Sequence, residues 1–361
     1  MVVFRLLSAT AGSATGPAAM AYVNRLFEPN ERVRPLGLWS FVTAGAPVLG
    51  VVIGGPVISA IGWRMIFVVQ APLLLGAALL AWNLLPQTTR SKNVKFDVKG
   101  SVTLGFGATL FLLAVNRGHS WGWTSPAILF FAVASLVSLW LFIRFERAAE
   151  APLMPLKWLR TPNIILPISI QALLNFAYMG GFIVVPQMLE IGLGYSASHV
   201  GWLIIARPLT FSITAPLASF FTMRAGERKS GVIGACAVIA SMLILSSLAS
   251  GSSDLLVVLG LGLSGIGFGI AAPALTALVA NAVDDETIGV AGAMQQLLSQ
   301  MGAVLGSTVM ISVHEMTVGS TTVVRSYGIA LLFGAGTATA AALLATRLTP
   351  TDRSAEAMAN S

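Results

Sequence analysis

The chain has 361 residues, of which 56% are hydrophobic and 10% charged, and its mean hydropathy is +0.83. A soluble domain carries roughly 25% charged residues, so this chain cannot cover itself with water-compatible groups, and a bilayer must be its solvent. The net charge of +7 does not point to nucleic acid, because the basic residues sit in short loops between apolar runs and form no stripe. The partners expected are therefore lipid and a small-molecule substrate, with no nucleic acid and the oligomeric state open.

A hydrocarbon core ~30 Å thick needs about 20 apolar residues per helix. In chain order the apolar runs predict eleven spans, at about 2–24, 35–61, 63–85, 100–117, 124–145, 163–189, 197–221, 230–250, 254–281, 288–313 and 325–347. The expected fold is all-α, a polytopic helical bundle. Polar punctuation separates the runs, as in Glu28-Pro29-Asn30-Glu31-Arg32 and Arg224-Ala225-Gly226-Glu227-Arg228-Lys229. Lys and Arg then alternate by side: 16 fall on one side and only Arg64, Arg117 and Arg325 on the other. That bias marks the first side as cytoplasmic, which puts the C-terminus inside a cell (plasma or inner) membrane. Cys236, the single cysteine, lies within an apolar run and has no intrachain disulfide partner.

A shift of 256 positions aligns Pro17-Ala18 with Pro273-Ala274 and Val48-Leu49-Gly50 with Val304-Leu305-Gly306. Many transporter folds are two similar halves. The span holding Pro273 is the fourth of its run, whereas the span holding Pro17 is the first of the chain. The repeat thus predicts that three spans, about ninety residues, are missing at the front.

Glycines one turn apart occur at Gly12/Gly16, Gly50/Gly54, Gly265/Gly269 and Gly302/Gly306. Such pairs let helix backbones approach closely. The run from Gly45 to Gly55, including Pro47, reads instead as a helix able to bend and slide. Arg5 and Arg207 are the two cations inside spans, expected to face a wet cavity or to bond carbonyls freed by Pro208. Every acid falls in a loop or at a span end, and none is expected to be buried. His119, His199 and His314 read as solvated loop residues on the outer side, with no metal-ligand spacing. Gln171, Asn175, Tyr178, Gln295 and Gln300 are candidates to line a cavity, with interhelical hydrogen bonding an equal alternative. Trp121, Trp123 and Trp158 read as interfacial belt residues. No catalytic triad, metal cluster or P-loop appears, so an enzyme is not expected.

Several of these segments resemble the major facilitator superfamily, and within it the fourteen-span drug:proton antiporters of the EmrB/QacA type. The run from Gly45 to Gly55 looks like the antiporter signature of the fifth span, with Val51 where that family has Pro. Phe4-Arg5-Leu6-Leu7 with Pro17 looks like its fourth-span motif. Gly62-Trp63-Arg64 and the run from Gln300 to Gly306 match further family positions, and Phe145-Glu146-Arg147 with Pro152-Leu153 resembles the exit from an inserted hairpin. The loop from Met223 to Lys229 resembles the second cytoplasmic gate loop, with Met223 where Asp is common.

The resemblance implies a proton-coupled exporter of drugs or other amphiphilic molecules, with no cofactor and the proton gradient as energy source. It divides the chain into the rest of an N-terminal half (1–85), a loop plus hairpin (86–160), a complete C-terminal half (161–348) and a cytoplasmic tail (349–361). It assigns transport and gating to Arg5, Pro17, Gly45, Pro47, Gly50, Gly54, Gly55, Gly226 and Arg228, and the cost of an intramembrane cation adds Arg207. Two rivals remain open: an N-terminally truncated, transport-inactive fragment, and a membrane scaffold or sensor.

Overall fold

The computed structural model describes residues 2–26, 42, 46, 50, 61–62, 64–86, 97–149, 152–284 and 287–349. Among the described residues there are eleven α-helices and no strand. They are α1 (Val2–Leu26), α2 (Arg64–Leu84), α3 (Val98–Trp121), α4 (Pro126–Ala148), α5 (Pro162–Gln187), α6 (Ala197–Ile204), α7 (Ala206–Ala225), α8 (Glu227–Ser246), α9 (Asp254–Asn281), α10 (Ile288–Val318) and α11 (Val323–Ala345). Among the described residues, nine helical stretches are long and apolar enough to cross a membrane, with α6 and the start of α7 counted as one. These match nine of the eleven expected spans. The first expected span is helical throughout as α1. The second, 35–61, lies outside the described residues apart from Val42, Ala46, Gly50 and Ile61, all helical.

Local chemistry sets the ends of these helices. Asp97, Ser125, Ser196 and Thr322 each accept a hydrogen bond from a backbone N–H in the first turn of the helix they precede. Such caps satisfy donors that the helix itself leaves open. Gly226, at φ 87°, ends α7 and starts α8 with no intervening residue, a backbone turn that an L side chain rarely adopts. Proline sets two irregularities. Pro186 cannot donate to the carbonyl one turn back, and just beyond it α5 widens into a π turn at Met188–Gly192. Pro208 likewise leaves the Ile204 carbonyl without its donor, and the chain kinks at Ile205 between α6 and α7.

From α5 onward the helices close into one bundle. Helix α9 packs on α7 and α8, α8 on α11, α11 on α5, and α5 on α10, with α9 also touching α5 across the middle. Leu174, Val184, Met242, Leu275 and Leu331 form its centre. Trp158, expected at the membrane interface, is instead 5% exposed and packs on Ile164 and Ile168. The short 3₁₀ turn Leu156–Arg160 folds back onto the bundle and takes its ring inward. Helices α3 and α4 form a hairpin that touches the bundle through α10, and it is held by Ser135 donating to the Gly107 carbonyl and Ser138 to the Thr103 carbonyl, each at 2.8 Å.

Glycine decides how closely the bundle closes. A Cβ on Gly302 would collide with the Ala172 carbonyl oxygen, and one on Gly306 with that of Phe176. Gly265 meets the Arg207 carbonyl in the same way, and Gly234 and Gly267 face each other between α8 and α9. Both C-terminal pairs of the sequence pattern, Gly265/Gly269 and Gly302/Gly306, thus sit at backbone crossings. Gly292, on the same helix as Gly306, has nothing within 4 Å of a built Cβ. Gly306→Ala is therefore expected to destabilise the protein by about 2 kcal/mol, since a backbone oxygen cannot move aside. Gly292→Ala should be neutral or stabilising by up to about 1 kcal/mol. Thermal melts of the two variants in one detergent check this, and equal effects would contradict the crossing.

Candidate functional site

Arg207 is the second residue of α7 and is 1% exposed. Its Nε donates to Ser264 Oγ on α9 and its Nη1 to the Tyr178 carbonyl on α5, each at 2.8 Å. The guanidinium lies 5.0 Å from the centroid of the Tyr178 ring. That ring stacks on Phe268 at 4.7 Å and tilts against Phe211. A guanidinium at membrane depth costs several kcal/mol unless it is bonded, and a planar fork can reach donor sites on two neighbouring helices at once, which an ammonium cannot. Among the described residues Nη2 is left without a partner. A Cβ on Gly181 would lie 3.1 Å from it, so the glycine gives this nitrogen its room. Arg207 thus bonds a carbonyl on a neighbouring span rather than one released by its own proline.

Gln171, Asn175 and Tyr178 follow at i, i+4 and i+7 along one face of α5. Gln295 Nε2 donates to Gln171 Oε1 and, at 3.2 Å, to Thr276 Oγ1. Asn175 Nδ2 donates to the Ser299 carbonyl at 2.9 Å and to Ser299 Oγ at 3.0 Å. In this arrangement these amides tie α5 to α10 and α9, and Gln171, Asn175 and Gln295 are buried. Gln300 is exposed on α10. Among the described residues Asn175 Oδ1 has no partner. Among these residues the bundle interior therefore offers an open donor on a cation and an open amide acceptor.

The other expected transport residues are placed as follows. Arg5 and Pro17 belong to α1, with side chains outside the described set; Gly50 is helical; Gly45, Pro47, Gly54 and Gly55 lie outside the described residues. Arg228 is exposed in the first turn of α8, two residues beyond the Gly226 turn.

Two expectations are corrected. Glu146 is 4% exposed, although no buried acid was expected. It lies in the last turn of α4 and turns inward, where Oε1 accepts the Met154 N–H of the exit loop. Its Oε2 and Asp97 Oδ2 both face Gly100, and among the described residues neither has a separate donor. His199 and His314, expected as solvated loop residues, each have side-chain partners. His199 Nε2 lies 2.7 Å from Asp254 Oδ2 and its ring stacks on Tyr195, whose phenol is raised above its usual range by burial and then by Asp254. His314 lies within α10, stacked on Tyr327 at 3.6 Å with Nδ1 2.7 Å from Ser326 Oγ. The side chain of His119, in α3, is outside the described set.

Apolar helices closed around buried polar groups define a polytopic α-helical membrane protein. The family model of the Major Facilitator Superfamily matches residues 1–156 and 168–360, and the chain belongs to that family of carriers. It is 28% identical over 316 residues to the tetracenomycin C resistance and export protein of Streptomyces glaucescens, covering 86% of this chain and 58% of that one. It is likewise 28% identical over 304 residues to the multidrug resistance protein Stp of Mycobacterium tuberculosis, covering 83% of this chain and 56% of the relative. Against the quinolone resistance protein NorB of Staphylococcus aureus identity is 27% over 344 residues, covering 93% and 73%. The chain spans less than two thirds of the length of the first two.

The acid pair yields a test that is independent of transport. Glu146→Gln can keep the Met154 bond through its carbonyl oxygen while its amide donates to Asp97, so stability should equal or exceed that of the parent. Glu146→Ala leaves the Met154 N–H without its acceptor and should cost about 2 kcal/mol. Chemical denaturation in detergent measures both, and a Gln variant as weak as the Ala variant would contradict the geometry.

Proposed function

We propose that this chain forms the carrier body of a proton-coupled exporter of the fourteen-span drug:proton antiporter type. It would move amphiphilic small molecules outward across a cell membrane by alternating access, with the C-terminus in the cytoplasm. The observation that carries the reading is Arg207: a fully buried cation bonded to two neighbouring spans, with one donor still open. Intramembrane ionisable groups of this kind mark substrate and ion pathways. Support also comes from relatives whose names record resistance and export, matched across most of this chain.

Charge narrows the substrate class. The interior offers a cation, and the one acid among the described residues that is nine-tenths buried sits at the end of the α3–α4 hairpin. Neutral or anionic amphiphiles suit that balance better than cations. Glycine contacts and the Gln171, Asn175 and Gln295 bonds would let the bundle tilt as one body against the rest of the protein.

The test uses the purified protein in liposomes with an imposed pH gradient, and tetracenomycin C and a quinolone as trial compounds. Accumulation should depend on the gradient and collapse with a protonophore. Arg207→Ala should lower it by about tenfold or more at unchanged protein level. Compound binding without gradient-dependent flux would instead support a scaffold or sensor.

A further inference from the structure

Helix α4 carries a feature that the reading above does not use. Trp140, Ile143, Arg144 and Arg147 succeed one another at i, i+3, i+4 and i+7, forming one stripe along its last turns. Together they line a groove of about 420 Å³. Trp140 is 56% exposed, and both arginines are exposed. The Arg144 guanidinium lies 5.5 Å from the centroid of the Trp140 ring. Among the described residues neither guanidinium has an acid partner. The acid between them in sequence, Glu146, is turned away into the hairpin against the Met154 N–H. Charge is thus sorted, with the carboxyl inside and both cations outside.

The same face continues up the helix as bare hydrocarbon: Val133, Leu136 and Val137 are 59%, 69% and 50% exposed. A lane of apolar side chains therefore leads to an indole and then to two exposed guanidiniums. We infer that this stripe is a binding site for one phospholipid with an anionic headgroup. The acyl chains lie along Val133, Leu136 and Val137. Trp140 takes the ester region, where amphipathic rings settle. Arg144 and Arg147 hold the phosphate and the headgroup charge, as guanidinium forks do. A free anion would use the arginines and leave the apolar lane empty, which favours the lipid as occupant.

Each cation beside an anionic surface strengthens binding by roughly fivefold, so the pair predicts a preference on the order of 20-fold. Native mass spectrometry of the full chain, titrated with phosphatidylglycerol and with phosphatidylcholine, should show that preference. Arg144→Gln with Arg147→Gln should abolish it and leave phosphatidylcholine binding unchanged, while Lys229→Gln with Arg347→Gln should leave it intact. Excess inorganic phosphate should not displace the lipid. Equal binding of the two lipids, a preference that survives the arginine variant or is lost in the control variant, or displacement by phosphate would overturn the site. If the arginine variant does not fold, photo-crosslinking the parent with a diazirine phosphatidylglycerol decides. Labelling concentrated on residues 133–147 supports the site, and labelling spread evenly over the other helices refutes it.

Discussion

Lipid tails are as apolar as leucine, so helices in a bilayer gain little from hiding their side chains from the solvent. What holds α5 to α11 together has to be close backbone approach and interhelical hydrogen bonding. Gly302 and Gly306 let α10 lie directly on the carbonyls of Ala172 and Phe176, and Gly265 does the same for α9 on α7. Once backbones touch, small polar side chains can reach across. Asn175 to Ser299, Gln295 to Gln171, and Ser241 to the Gly260 carbonyl at 2.6 Å are all bonds of that kind.

The buried cation depends on this closeness. Arg207 avoids the cost of burial by bonding Ser264 and the Tyr178 carbonyl, and both partners are in reach because Gly181 and Gly265 carry no side chain there. Among the described residues the arrangement leaves one nitrogen, Nη2, without a partner. A bundle closed in this way has little freedom to bend internally, and a carrier built from it must move the bundle whole. The hairpin of α3 and α4 follows a different logic: serine-to-carbonyl bonds join its two helices, and the Asp97 and Glu146 carboxyls meet at its base.

Much of the fold was legible in the sequence because a membrane span is a compositional signal. Among the described residues, nine helical stretches long and apolar enough to cross a membrane fall on expected runs, and the four-residue spacing of Gly265/Gly269 and Gly302/Gly306 marked real crossings. What hydropathy cannot encode is direction. It recorded Glu146 as a span-end acid, but only the path of the exit loop through Met154 shows that it turns inward. Trp158 has the composition of a belt residue and is buried because a short 3₁₀ turn folds it back. The position of Arg207 was readable from its span, whereas Ser264 and Tyr178, 57 and 29 residues away in the chain, required the fold.

A whole-body motion implies that distances inside the bundle stay fixed while the carrier works. Spin labels at the exposed positions Leu255 on α9 and Met316 on α10 would report one such distance by pulsed electron resonance. One narrow distribution, the same in acidic and alkaline buffer and with or without a trial compound, is the predicted result. A second distance that grows with pH or with compound would show the bundle deforming internally and would contradict the account.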